Sequence, residues 1–594
     1  MRIYFENHPY DSDQIKPYLD KKLLYEDIPN HKCKTDRIGY IFVSNDAYSG
    51  PVFILPKTFL IEVNGKLTVL GLPSIFPEDV IDTDDEDNPL KISGKGSFLP
   101  ELGIWLYRAL SRFRDEHEGT KISEQANLDS QLPENCARDK DFLSTALDLI
   151  DYLKDHRNLF TQISIINHSG RDKIDWSKTV KNIAYIKDDE AWYLDPAIKD
   201  KSIDIDDTLI ILYYSVLQYL RDKYSFPINL GDVPYTLLSP ERVQRLIDTG
   251  IGSKEMRRIR HKYFRDELKA LWVLLDSFFT YNNSDNENIR FEEHILVKNF
   301  EIIFEAMVDS VLSDVRGVED LREQEDGKLI DHIFRFTSLI GNDSDIYFIG
   351  DSKYYPDNSR PEGVALYKQF TYAKNTIQYH IDRLYLTQEH GSYPFQKKGD
   401  LRYRDTLTEG YNITPNFFVR SRVESSDIDF SNPYLKTTIW DKKKHQEHPK
   451  PNQHFPNRLF DRDTLILREF SINLLFVIAS YAGYEDGCWS TDLHKTIRKS
   501  LIDSIDKEYE FFKVTPTNLS VNTFYFLYIS ELIGKAYALK ETDDHIIIAF
   551  EKNEIGKKDK EKFDTQAITN LETGEVVTYT IEPISLHQLS EEEF

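Results

Sequence analysis

Asp351-Ser352-Lys353 closes the apolar run Ile346-Tyr347-Phe348-Ile349, so a carboxylate and an amine stand two residues apart on a strand and project from one face. Such a pair can hold a metal ion and a water molecule together. Twenty residues upstream, the strand-like segment from Lys328 to Phe336 supplies a second acid, Asp331. Downstream, Lys368-Gln369-Phe370-Thr371-Tyr372 reads as a helix and offers the amide of Gln369. Two carboxylates, an amine and an amide are the groups that metal-assisted hydrolysis uses. Carboxylates bind a hard dication, and a lysine beside that dication has its pKa lowered towards a useful range.

The arrangement of Asp331, Asp351, Lys353 and Gln369 resembles the PD-(D/E)xK nuclease signature, in which two adjacent strands carry the acids and the lysine. Ile330 occupies the place of the usual proline, a departure that removes no chemical group. The resemblance implies phosphodiester hydrolysis, with Asp331 and Asp351 holding Mg²⁺, or Mn²⁺ as the alternative. Lys353 would position or deprotonate the water, and Gln369 would orient the lysine or the water. A lone D-x-K tripeptide usually forms a solvated surface pair. Here the apolar strand before it, the Tyr354-Tyr355-Pro356 exit and an acid at hairpin distance supply a context. Phe300 to Leu312 repeats apolar residues at helical intervals, which puts Glu301 and Glu305 on one face. Nucleases of this class carry a glutamate on the first core helix, so the resemblance implies Glu305 as a further metal ligand. Substituting Asp351 or Lys353 is expected to stop cleavage with little loss of folding, as for polar residues at an open site.

A narrower resemblance joins these motifs to segments further upstream. Ile54-Leu55-Pro56-Lys57-Thr58-Phe59, Ser169 to Thr179, the Phe304-Glu305 helix and Gly350 to Tyr355 together look like the LlaJI family of restriction endonucleases, a branch similar to McrC nuclease subunits. It covers residues 35 to 380. This resemblance implies an anti-phage defence enzyme that cuts foreign double-stranded DNA together with an McrB-like AAA+ GTPase. A cognate methyltransferase would belong to the same system. The alternatives are a stand-alone type II restriction endonuclease and a catalytically silent DNA-binding or scaffold subunit.

The rest of the chain sets bounds. With 594 residues it should form three or four domains. The expected fold class is α/β in a multi-domain α+β arrangement, with a PD-(D/E)xK core, an N-terminal β-rich region and a helical middle. The divisions expected are 1–95 β-rich, 96–285 helical or mixed and open to a partner, 286–400 nuclease core, and 401–594 an extension that completes or covers the core. Asn64-Gly65 between apolar runs signals a hairpin. Leu102–Phe113, Asp141–Leu153 and Asp207–Tyr224 read as helices, with Asp207-Thr208 available as a cap. Ile472–Ala479 reads as a buried helix. Ile546–Phe550 and Val576–Ile581 read as a hairpin around a charged loop from Glu554 to Asp564.

A formal charge of −26 runs against a DNA-binding surface, yet the charge is uneven. Arg257 to Lys262 and Lys442 to Lys450 are basic islands, and Asp82 to Asp87 is an acidic loop. No phosphate-binding loop is present, since Gly250-Ile251-Gly252-Ser253-Lys254 lacks the spacing, so any NTP-driven step must come from a partner. The three cysteines, Cys33, Cys136 and Cys488, are too scattered for a disulfide framework or a zinc cluster. No apolar run approaches a membrane span and no signal segment opens the chain, so a cytoplasmic protein with no membrane partner is expected.

Overall fold

The computed structural model describes residues 1–594 apart from 46–47, 84, 132–141, 157–158, 161, 168–172, 205–206, 225, 282–292, 314–318, 323–328, 342–343, 355–362, 390–399, 406, 424–428, 434, 438–449, 453–454, 484–488, 540–543, 564–566, 570–575 and 592–594. Lys328, Tyr355, Pro356, Arg171, Cys136, Cys488 and the basic run Lys442 to His445 lie outside the described residues. The chain is a mixed α/β protein of two compact units.

The first unit combines Met1–Leu55, Pro77–Ile104 and Asp129–Leu296. Its five-stranded sheet runs in the order Arg2–Phe5, Ser49–Leu55, Ile38–Ser44, Glu293–Val297, Leu128–Gln131. Helices Phe142–Asp155, Thr208–Tyr224 and Asp266–Tyr281 bury long apolar stripes in this unit. Asp207 caps the second of them by accepting the Leu209 N–H at 3.0 Å. Buried Glu293 accepts the Tyr40 hydroxyl at 2.6 Å and the Phe142 N–H at 2.9 Å, which satisfies a carboxylate that would otherwise be costly in the core.

The second unit combines Pro56–Phe76, Trp105–Leu128 and Val297–Phe594. The Leu60–Val63 and Lys66–Val69 strands pair across Asn64-Gly65, whose positive φ angles of 52° and 79° are those of a tight hairpin turn. The elements that carry the site follow in chain order. They are α1 (Phe300–Leu312), β1 (His332–Thr337), β2 (Ser344–Lys353), α2 (Gly363–Glu389), β3 (Pro415–Arg422), β4 (Leu465–Asn473), α3 (Leu474–Tyr481) and α4 (Trp489–Glu508). Strands β1 to β4 are neighbours in that order within a seven-stranded sheet. β1 and β2 are antiparallel, whereas β2, β3 and β4 are parallel, with α2 as the crossover between β2 and β3. Helix α1 packs on β1, β2, α3 and α4.

The buried helix expected over Ile472–Ala479 is present as Leu474–Tyr481, opened by Asn473, which accepts the Leu475 N–H at 3.1 Å. It follows directly on Leu465–Asn473, a strand buried along its whole length and therefore without polar alternation. Two expectations change. Ile546–Glu551 and Val576–Ile584 do not pair with each other. Both flank Tyr509–Pro516, the middle strand of a separate five-stranded sheet. Within the expected charged loop, Glu554–Glu561 is a helix capped by Asn553.

Gly350 shows how tightly the sheet is closed beside the site. A Cβ there would lie 2.4 Å from the ring of Phe417, its in-register neighbour on β3. Gly350→Ala is therefore expected to lose about 1–3 kcal/mol of unfolding free energy, the usual cost of overpacking a closed core. Chemical denaturation would show it, and a wild-type midpoint would mean that Phe417 can move aside.

Candidate active site

The β1–β2 register pairs His332 with Gly350, and its continuation sets Asp331 opposite Asp351. Like charges placed directly across a ladder repel, so this pair is unfavourable unless a proton or a cation intervenes. Asp351 is only 2% exposed and forms an ion pair with Lys353. The Lys353 ammonium also lies 5.5 Å from the centre of the Phe418 ring on β3. Asp331 is partly buried and accepts the Ser352 N–H at 3.3 Å. Burial, then the charges of Asp351 and Glu305 and a hydrogen bond with Asp351, hold the Asp331 carboxyl well above the usual range. Glu305, from α1, joins the same field. Burial, followed by the charge of Asp351, pushes it up to about 7, against the opposing pull of Lys353 and Lys368.

Glu305, Asp331, Asp351 and Lys353 are thus brought together from three elements. Glu301 is exposed and adds only a weaker negative influence on Glu305. Gln369 is fully buried and donates from Nε2 to the Ile349 carbonyl at 3.0 Å, so it grips the backbone of β2 two residues before Asp351. Its Oε1 is buried with no hydrogen-bond partner among the described residues. The expectation that Asp351 sits at an open site is corrected, because its side chain is enclosed by α1, β1 and its own strand's lysine.

Three further cations stand on or beside the elements that carry the acids. Lys368, one residue before Gln369 on α2, is held above its ordinary pKa although burial lowers it. A hydrogen bond to Tyr372 and the fields of Asp331 and Asp351 win. Its position at the start of an amphipathic helix following D-x-K was the available signal. Arg420 is the in-register neighbour of Lys353 on β3 and pairs with buried Glu469 of β4. Lys57 lies 5.0 Å from the ring centre of Tyr354, which packs on Phe300 at 5.2 Å. Arg420 and Lys57 stand beside the strand that carries the acid and the lysine, one through pairing of β3 with β2 and the other through packing on Tyr354.

Among the described residues, no three His, Cys, Asp or Glu groups already converge as a ligand set. In donor chemistry, though not as a converged ligand set, the carboxylates suit a divalent cation. Three acids crowd one another enough to raise two of their pKa values, and hard oxygen donors of this kind suit Mg²⁺ or Mn²⁺.

No family model matches the sequence, and no curated protein matches it. Among solved structures, a chain from a refined half-complex of a tetradecameric assembly of Thermococcus gammatolerans McrB AAA+ hexamers with bound McrC is similar at 12% identity. The match covers 84% of this chain and 99% of that one, with a TM-score of 0.24. No helix among the described residues is long and apolar enough to cross a membrane.

Proposed function

We propose that the chain is a metal-dependent DNA endonuclease of the PD-(D/E)xK kind, a nuclease subunit of a restriction system. One observation carries this reading: Glu305, Asp331 and Asp351, from α1, the start of β1 and the end of β2, share one electrostatic site with Lys353. Glu305, Asp331 and Asp351 would hold Mg²⁺ or Mn²⁺, which when bound neutralises phosphate charge and favours the hydroxide form of water. Lys353, ion-paired to Asp351, would orient the attacking water by donating to it, and its ammonium balances negative charge that builds on the phosphate. Lys368 adds a second cation beside the acids. Gln369 fixes the backbone that presents Asp351 and Lys353.

The sequence resemblance to LlaJI and McrC-like proteins adds an McrB-like GTPase partner to the proposal, and two surfaces of the first unit are suited to an assembly. Trp176, Ile183, Tyr185, Ile186, Trp192 and Leu194 are all exposed, Ile183 at 98%. Large apolar side chains exposed along one stretch of chain are a feature of interaction surfaces. Of the Ser169 to Thr179 segment, the residues from Lys173 onward are described, and there Trp176 is 60% exposed. Arg257, Arg258, Arg260, His261 and Lys262 are also exposed, a local basic strip suited to DNA phosphates in a chain of net charge −26.

The test is cleavage of supercoiled plasmid by the full chain with Mg²⁺, alone and with the McrB-like GTPase of the same genome and GTP. Cutting that needs the metal and rises at least about tenfold with partner and GTP is expected. Efficient sequence-specific cutting by the chain alone would favour the stand-alone enzyme. No cutting in any mixture would leave a silent scaffold.

A further inference from the structure

Ser352, the middle residue of Asp351-Ser352-Lys353, alternates to the other side of β2 and enters a chain of buried polar groups. Its Oγ lies 2.6 Å from Nε2 of His332, and Nδ1 of His332 lies 3.2 Å from Oδ1 of Asp309 on α1. Asp309 also meets the Arg322 guanidinium at 2.7 Å and accepts the Ser313 hydroxyl. Arg322 in turn donates to the Asp331 carbonyl at 3.1 Å. With the Asp309 carboxylate as acceptor, the neutral tautomer that satisfies both contacts carries its proton on Nδ1 and takes the Ser352 proton at Nε2. The order Asp–His–Ser has the form of a nucleophile relay. It cannot serve as one here, because His332 has no exposed surface and Ser352 only 3%.

What sets this chain apart is its register with the acids. Ser352 lies between Asp351 and Lys353, His332 follows Asp331, and Asp309 stands one helical turn beyond Glu305. Each member is therefore bound covalently to an element that presents one carboxylate, and the three are bound to one another by hydrogen bonds. The Ser352–His332 contact is diagonal across the β1–β2 ladder and opposes slippage, which would turn the acids to the wrong face. The His332–Asp309 contact fixes the rotation of α1 against that ladder.

We propose that Asp309, His332 and Ser352 are positioning residues, a clamp behind the strand that fixes the spacing of Glu305, Asp331 and Asp351 and thereby sets the affinity of the site for a divalent cation. The inference rests on the metal-site reading above. Outer partners of metal ligands typically change affinity by about 10–100-fold when removed.

Calcium alone, which needs no turnover, is the probe. Calorimetric Ca²⁺ titration of Ser352→Ala is expected to show affinity reduced by at least about tenfold, while DNA affinity without metal and the far-ultraviolet spectrum stay at wild-type levels. His332→Gln, which keeps an amide near the Nε2 position, should retain more Ca²⁺ affinity than His332→Leu. Asp351→Asn serves as the reference and should lose Ca²⁺ binding. If Asp351→Asn fails to bind while Ser352→Ala binds like the wild type, the clamp is refuted and the metal site stands. If Asp351→Asn binds normally, the metal-site reading itself fails. Should His332→Leu not fold, Ser352→Ala, which removes a single hydroxyl, still decides.

Discussion

Asp351→Asn should abolish DNA cleavage without lowering the melting temperature of the metal-free protein, whereas Lys353→Met should abolish cleavage and destabilise the fold. Asp351 is buried, faces Asp331, and raises the pKa of both Asp331 and Glu305. An uncharged side chain of the same size removes that repulsion, and Lys353 still has two acids to neutralise. Removing the lysine does the opposite, leaving a buried carboxylate whose ion pair is gone. Breaking a buried pair from one side costs about 3–5 kcal/mol, less whatever the neighbouring acids recover by taking up protons. Loss of a group that stabilises charge in the transition state costs at least about 10²-fold in rate. Plasmid cutting and calorimetric melting of the two variants check both halves. Wild-type cutting by either variant sinks the site assignment. Equal loss of melting temperature in both sinks the electrostatic account, though not the chemistry.

Divalent cation binding should be strongly pH-dependent, with apparent affinity rising as pH climbs through about 7, where Glu305 gives up its proton. Glu305 is pushed up to about 7 by burial and by Asp351, and Asp331 is also raised. A cation must displace those protons, so binding below pH 7 releases them. The sign for stability follows from the same shifts. Between the unfolded carboxylate pKa and about 7 the folded protein holds protons that the unfolded chain has already lost. The stabilising contribution of these acids is therefore complete below the unfolded value and is lost as pH rises through the folded one. Added Mg²⁺ should restore stability most at the alkaline end, where it competes with no proton. Titrations of Mg²⁺ in two buffers of different ionisation enthalpy would count the protons. Glu305→Gln should reduce the count and raise the Mg²⁺ concentration needed for cutting. An unchanged count and requirement would make Glu305 merely part of the helix surface.

Much of the site was legible because it is local. Alternation along Ile346 to Lys353 places Asp351 and Lys353 on one face whatever the rest of the chain does, and the helical period of Phe300 to Leu312 brackets α1 at both ends. The Asn64-Gly65 turn is equally local, since the positive φ values that it needs are written in two residues. The tertiary structure alone decided what depends on distant partners. Leu465–Asn473 is a strand because it pairs in parallel with β3 and is covered along its whole length, which its apolar pattern alone does not state. The last two long strands were separated by Tyr509–Pro516, a choice that pairing partners make and local propensity does not. In the same way, the sequence displays Asp309, His332 and Ser352 as unrelated polar residues. Burial removes water as their competitor, so a buried histidine must find its partners within the fold, and which partners it finds is fixed only when α1, β1 and β2 close on one another.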